Sequence, residues 1–217
     1  MCELAVRCSL GEKLKDLTSL KGIAPVPDFV TVKVPVFSFE KLTGLDTLLG
    51  PEMKSTGEVL GLGRTLEEAL YKGLLGAGYK MKRKGGVLIT VSDADKDAII
   101  SVARKFKQEG FELYSTRGTA KYLSNSGIDG VNIVEKVKDS KTNNTVKLLE
   151  SGKIAYVVST SEKGRDPARD DVKVRRRAVQ LGISYVTSVD TARALIYSIA
   201  SGHNEETVEL IDINALF

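Results

Sequence analysis

From residue 83 onward the chain alternates short apolar runs with amphipathic stretches, and this alternation restricts the fold more than any other feature. GGVLITV (85–91) is apolar, β-branched and opened by glycine, the pattern of a strand buried on both faces. Ala98, Ile99, Val102, Ala103 and Phe106 then recur at helical spacing. The same succession repeats: a strand over Phe111–Tyr114, a helix over 118–125 closed by Gly127, a strand over Val131–Val134, and a helix over 144–151 stopped by Gly152. A strand at Ile154–Ser159, a helix over 170–181, a strand at Ile183–Thr187 and a helix over Asp190–Ser201 complete it. Strands alternating with helices predict a parallel sheet covered on both faces. Right-handed crossovers make residues 83–217 an α/β, Rossmann-like three-layer sandwich with a five-stranded parallel sheet. In such sheets ligands bind at the carboxyl ends of the strands.

Residues 1–82 read differently, as a partial α+β segment. Residues 1–16 read as one helix and TVKVPVF (31–37) as one strand. Residues 65–80 read as a helix opened by a capping box of Thr65 and Glu68. The intervening GLDTLLGPEMKSTGEVLGLG is glycine-rich and weak in periodicity. Three scattered elements bury too little apolar surface to stand alone. The segment therefore reads as the end of a larger domain, or as an addition to the unit that follows.

Composition narrows the function classes. With 32 basic and 28 acidic residues the formal charge is +4, and neither half is a basic tail, so charge gives no argument for nucleic acid. No apolar run reaches the roughly 20 residues of a membrane helix, and MCELAVRCSLGEK lacks the apolar stretch of a secretory signal. Cys2 and Cys8 have no redox or metal-ligand spacing and read as reduced thiols of a cytoplasmic protein. The single His203, in the polar SGHNEET, argues against a histidine zinc site or a Ser-His-Asp triad. Lys173 and Arg175–Arg177 fall within one helix and spread round it, with no interleaved aromatics for base stacking. Asp46, Glu52 and Glu58 are carboxylates of the glycine-rich loop that could be weighed as a magnesium cluster.

The candidate site lies at successive strand ends. STRGT (115–119) follows the second strand and opens a helix; Thr116 and Thr119 flank Gly118, which lets a ligand approach the backbone. Free amides at a helix start favour an anion. Lys96 stands in the first turn after the first strand, where the helix dipole disfavours a cation. Lys136 follows the third strand, and Ser159, Thr160 and Ser161 follow the fourth. Lysines and hydroxyls on four strand ends suit a phosphomonoester. The competing reading of the threonines and glycine is a helix N-cap with a turn glycine.

LDTLLGPEMKSTGEV (45–59) closely resembles a signature of the carbamoyl-phosphate synthetase large subunit, at the end of its second ATP-grasp unit, and VKVPVFSF (32–39) fits the same register. Downstream, TRGTA (116–120) and the five-strand pattern resemble that subunit's regulatory domain, which shares its fold with methylglyoxal synthase. The resemblance divides the chain into an ATP-grasp remnant (1–82) and a methylglyoxal-synthase-like regulatory domain (83–217). It implies that the parent enzyme uses ATP with magnesium, with potassium as a further candidate ion, and works with a glutaminase small subunit. It makes carbamoyl phosphate for pyrimidine and arginine biosynthesis. The ATP strands and metal carboxylates would lie upstream, so the chain alone is expected to need no cofactor and to catalyse nothing.

What the resemblance implies for the regulatory unit is nucleotide binding, with UMP first and IMP or phosphoribosyl pyrophosphate as alternatives. By position, Lys96, Thr116, Gly118, Thr119 and Lys136 take the phosphate, and Ser159, Thr160 and Ser161 take the ribose or base. Three departures stand out. Ser159 replaces a family asparagine, KDSKTNNT (138–145) replaces a GlyArgPro-like turn, and Val34 stands where ornithine-responsive relatives have glutamate. Relatives that bind N-acetylglutamate carry tryptophan at the position of Lys136; this chain has no tryptophan. Two other functions compete. One is a methylglyoxal-synthase-like phosphate lyase using carboxylates among Asp166, Asp170 and Asp171. The other is an oligomerisation module joining copies of the subunit.

Overall fold

The computed structural model describes residues 2–19, 22–23, 26–38, 52–137, 144–160 and 170–213. In the second part the strands are β3 (Gly86–Thr90), β4 (Glu112–Thr116), β5 (Asn132–Val134), β6 (Ile154–Ser159) and β7 (Ser184–Val186). All neighbours pair in parallel, in the order β5-β4-β3-β6-β7. The chain runs outward from β3 through β4 to β5, then crosses back to β6 and β7. The reversal places a crevice at the carboxyl ends of β3 and β6.

Alternation along β3 divides the core between the two faces. Val87 and Ile89, with Tyr156 and Val158 of β6, face α4 (Lys96–Gln108), α5 (Arg117–Asn125) and α8 (Val189–Ala200). Leu88 and Val157 face α6 (Thr145–Glu150) and α7 (Asp170–Gln180). Every residue of β6 is buried, as expected of a parallel strand covered on both sides. Phe106, wholly buried on α4, meets Phe111 edge-to-face at 5.4 Å between ring centres. Such a ring contributes about 2–3 kcal/mol by leaving water. Of the predicted apolar face of α4, Ile99, Val102, Ala103 and Phe106 are buried, whereas Ala98 is exposed and turned away from the sheet.

The first part holds α1 (Cys2–Ser9), α2 (Leu14–Leu17), β1 (Val30–Val36), β2 (Gly57–Gly63) and α3 (Leu66–Gly76). The single helix expected over 1–16 is two short ones, broken at Gly11, whose φ of +101° lies outside the right-handed helical region. The glycine-rich stretch contains β2, antiparallel to β1 from Val30–Gly63 to Val36–Gly57. Periodicity missed this strand because glycine occupies its buried positions 61 and 63. The helix expected over 65–80 ends at Gly76, with the chain reversing at Gly78 (φ +86°). The capping box is half formed: Thr65 accepts from the Glu68 amide, while the Glu68 carboxylate reaches the Arg64 amide instead of that of Thr65.

α3 joins the two parts. Val34 and Leu74 belong to the same buried cluster as Val87, Ile89 and Leu195. Ser198 of α8 donates to the Glu67 carbonyl of α3, and the Glu209 amide donates to Glu68. Arg64 and Glu209 form an ion pair at 2.9 Å.

Candidate functional site

The site is built at the carboxyl ends of β3 and β6. β3 ends at Thr90, and the turn after it holds Ser92 and a single 3-10 turn, Asp93–Asp95, before Lys96 opens α4. Across the crevice, the Thr160 amide donates to the Thr90 carbonyl, and the Ser92 amide donates to Thr160 Oγ1 at 3.0 Å. Ser92 Oγ donates to Asp95 Oδ2 at 2.7 Å. Hydrogen bonds from Thr160 and Ser92 hold the Asp95 carboxyl below the ordinary aspartate range. This lattice fixes the turn that delivers Lys96.

Lys96 is sheltered, with its side chain 21% exposed, and its Nζ lies 2.6 Å from Asp93 Oδ1. It also stands 5.7 Å from the centre of the Tyr122 ring on α5. Lys96 therefore lies beside α5, the helix opened by TRGT, on the side that carries the Tyr122 ring. At the start of α5, Thr116 occupies the N-cap position with extended backbone, but its side chain makes no cap bond. Among the described residues neither Thr116 nor the buried Thr119 has a side-chain hydrogen bond, so both hydroxyls are uncommitted. A Cβ on Gly118 would meet nothing within 4 Å, so packing does not explain this glycine. The N-cap reading of the motif thus places Thr116 correctly and leaves its hydroxyl unused.

Lys136 is exposed just beyond β5. Its neighbour Glu135 bridges in parallel to Asn144 and holds the Arg117 guanidinium. Ser159 and Thr160 are differently engaged. Ser159 is buried; Thr90 donates to it at 3.0 Å, and it also bonds Tyr185 of β7. The Thr160 hydroxyl is taken up by Ser92 and Asp95. Ser161 lies outside the described residues, as does most of 138–145. Ser92, Asp93, Asp95 and Arg117 join the site without a motif of their own in the sequence. A retrospective signal is the Ser92-x-x-Asp95 spacing just ahead of the helix, which suits a side-chain-braced turn.

Other sequence candidates disperse. Glu58 pairs with Lys33 at 2.7 Å, Glu52 is exposed and Asp46 lies outside the described residues. The basic run on α7 splits, with Arg175 over the Tyr185 ring and Arg177 bound to Glu150. Arg83, three residues before β3, donates to the His203 carbonyl, so the only histidine sits at the amino end of the sheet, opposite the strand ends. Asp170 opens α7 with one buried, unbonded carboxylate oxygen, and Asp166 is outside the described residues. A separate cavity of about 530 Å3 runs along the free edge of β7, lined by Phe37, Tyr79, Arg175 and Tyr185 among others. No helix among the described residues is long and apolar enough to cross a membrane.

Residues 98–187 match the family described as the MGS-like domain. The carbamoyl phosphate synthase large chain of Lachnoclostridium phytofermentans is 46% identical over 210 residues, covering 97% of this chain and 19% of that protein. The corresponding protein of Clostridium botulinum is 40% identical over 213 residues, 98% of this chain and 20% of that one. That of Agathobacter rectalis is 39% identical over 206 residues. Among solved structures, methylglyoxal synthase from Elizabethkingia anophelis aligns with 15% identity and a TM-score of 0.44, over 61% of this chain and 90% of that one. The chain spans about a fifth of the length of the curated relatives it matches. Residues 98–187 are thus similar to the MGS-like domain, and the chain over nearly its whole length is similar to a stretch of carbamoyl phosphate synthase large chains.

Proposed function

We propose that residues 83–217 are an effector-binding regulatory unit whose ligand is a nucleoside monophosphate, UMP first among them. Residues 1–82 are the end of a second ATP-grasp unit. The observation that carries this reading is the anion cradle. A sheltered lysine lies beside the Tyr122 ring of α5, and the start of that helix carries two uncommitted hydroxyls and an unobstructed glycine. A phosphate there accepts from the free amides of α5 and from Thr116 and Thr119, and takes the Lys96 charge. Lys136, exposed just beyond β5, is the second lysine of this reading. Ser159 and Thr160 brace the wall against which the nucleoside lies.

In this reading the chain performs no chemistry. Its ligand shifts the state of a longer glutamine-dependent carbamoyl phosphate synthase, which serves pyrimidine and arginine biosynthesis. ATP, magnesium and the glutaminase subunit are bound by the rest of that protein. A coupling of this kind is worth about 1–3 kcal/mol. The phosphate-lyase alternative finds no support at the site, because the single imidazole lies at the opposite end of the sheet.

Thermal unfolding of the chain with UMP, IMP, phosphoribosyl pyrophosphate, N-acetylglutamate and dihydroxyacetone phosphate tests the proposal. A ligand at a hundred times its dissociation constant stabilises by about 2.7 kcal/mol, a rise of about 5–10 °C for a chain of this size. A rise with UMP is expected. No rise with any of the phosphates overturns the reading. Release of inorganic phosphate from dihydroxyacetone phosphate replaces it with the lyase.

A further inference from the structure

The contact between Lys96 and Asp93 is unequal. The lysine is 21% exposed and fixed at the head of α4, whereas the aspartate side chain is 89% exposed on the 3-10 turn. The carboxylate oxygen, 2.6 Å from Nζ, takes up one of the three donors of a largely sheltered ammonium. Asp95, two residues on, is tied down by Ser92 and Thr160; among the described residues no such bond holds Asp93. Arg117, inside the TRGT loop, is likewise neutralised by Glu135. Two cations here, Lys96 and Arg117, thus carry carboxylates of this same chain.

We infer that Asp93 is a built-in counter-ion, which occupies the anion seat on Lys96 and is displaced into solvent when a phosphate binds. This rests on the phosphate-binding reading above and adds a determinant of affinity and charge selectivity to it. An exposed ion pair is cheap to open, so the exchange is favourable for a dianion that also gains the amides and hydroxyls of α5. A neutral nucleoside cannot drive it. Asp93 therefore weakens every phosphate ligand while keeping the lysine in place and compensated in the free protein.

The test is calorimetric titration of the full chain with inorganic phosphate, UMP and uridine, in the wild type, Asp93→Asn and Lys96→Ala, with the melting temperature of each unliganded protein. Asp93→Asn is expected to bind phosphate and UMP about three- to fivefold more tightly, the scale of a removed surface pair, with uridine unchanged. Its unliganded melting temperature should stay level or fall, because an acid is lost from a helix start. Tighter anion binding without a gain in stability is the signature of a displaced competitor. Equal or weaker binding by Asp93→Asn, alongside wild-type binding that Lys96→Ala abolishes, overturns this inference and leaves the phosphate site standing. Absence of any wild-type phosphate binding overturns both.

Discussion

Gly61 of β2 lies so close to Ala69 of α3 that a Cβ on the glycine would stand 2.0 Å from the Ala69 carbonyl oxygen and 2.8 Å from the Gly73 amide nitrogen. Both atoms are helix backbone and cannot swing aside. Gly63 and Gly73 repeat the arrangement, with a Cβ at 2.7 Å from the Ala69 nitrogen and from Val34 Cγ2 respectively. The three glycines let strand and helix backbones touch, which seats Leu74 in the common core. Gly61→Ala should therefore push α3 off β2 and cost about 3 kcal/mol, the upper range for overpacking. Urea unfolding followed by far-ultraviolet circular dichroism measures it. An unchanged midpoint would show that α3 and β2 are not in this contact.

Those same glycines explain what the sequence conceals. β3 and β6 are legible because strands buried on both faces are continuous apolar runs, and a run such as IAYVVS has few other readings. β2 is illegible because close helix packing demands glycine where a strand signal needs β-branched residues. The candidate site divides in a similar way. Lys96 is visible as a residue that breaks a local rule at a strand end, and Thr116 and Gly118 as a hydroxyl and a glycine at a helix start. The Thr160–Asp95 and Ser159–Tyr185 contacts join separate segments of chain, and only the sheet order brings them together.

Glu68 gives a pH prediction. Burial opposes its ionisation, but the Lys72 ammonium at 2.8 Å and the Arg64 and Glu209 amides outweigh that, so its carboxyl sits below the ordinary glutamate range. A depressed folded-state value contributes stability above the unfolded value, about 4.3 for glutamate, and that stability is lost as pH falls through the folded value. The wild type should lose melting temperature as pH falls below about 4.3. Glu68→Gln should be less stable near neutrality and show a flatter acid limb. Parallel limbs in the two proteins would exclude Glu68 as the titrating group.

Tyr156 ties the core to the segment linking the two parts. Its ring packs with Phe106 and Phe111, at 6.2 and 5.9 Å, and its hydroxyl donates to the Lys82 carbonyl at 2.8 Å. Burial raises the phenol pKa, so the hydroxyl remains a donor throughout the physiological range. Tyr156→Phe keeps the ring and removes one hydrogen bond, a loss of about 1 kcal/mol, or about 2–4 °C in melting temperature. Tyr156→Ala, which empties the site, should cost about 3–5 kcal/mol. Equal losses in the two variants would mean that the hydroxyl, not the ring, carries the contribution.

The cradle predicts a division of labour between charge and hydroxyl, readable in the salt dependence of UMP binding. Lys96 offers a charge-assisted hydrogen bond, of about 1.5–3 kcal/mol, so Lys96→Ala should weaken UMP about ten- to hundredfold at low salt. Part of that attraction is screened over a Debye length of about 8–10 Å near physiological ionic strength, so the lysine variant should also respond less to added salt than the wild type. Lys136, exposed at the rim, should show a smaller loss and a similar flattening. Thr116→Val and Thr119→Val remove neutral bonds of about 0.5–1.5 kcal/mol, which is about two- to tenfold in affinity, and should leave the salt response at its wild-type slope. A threonine variant that flattens the salt response, or a Lys96 variant that leaves it steep, would place the phosphate away from the head of α5.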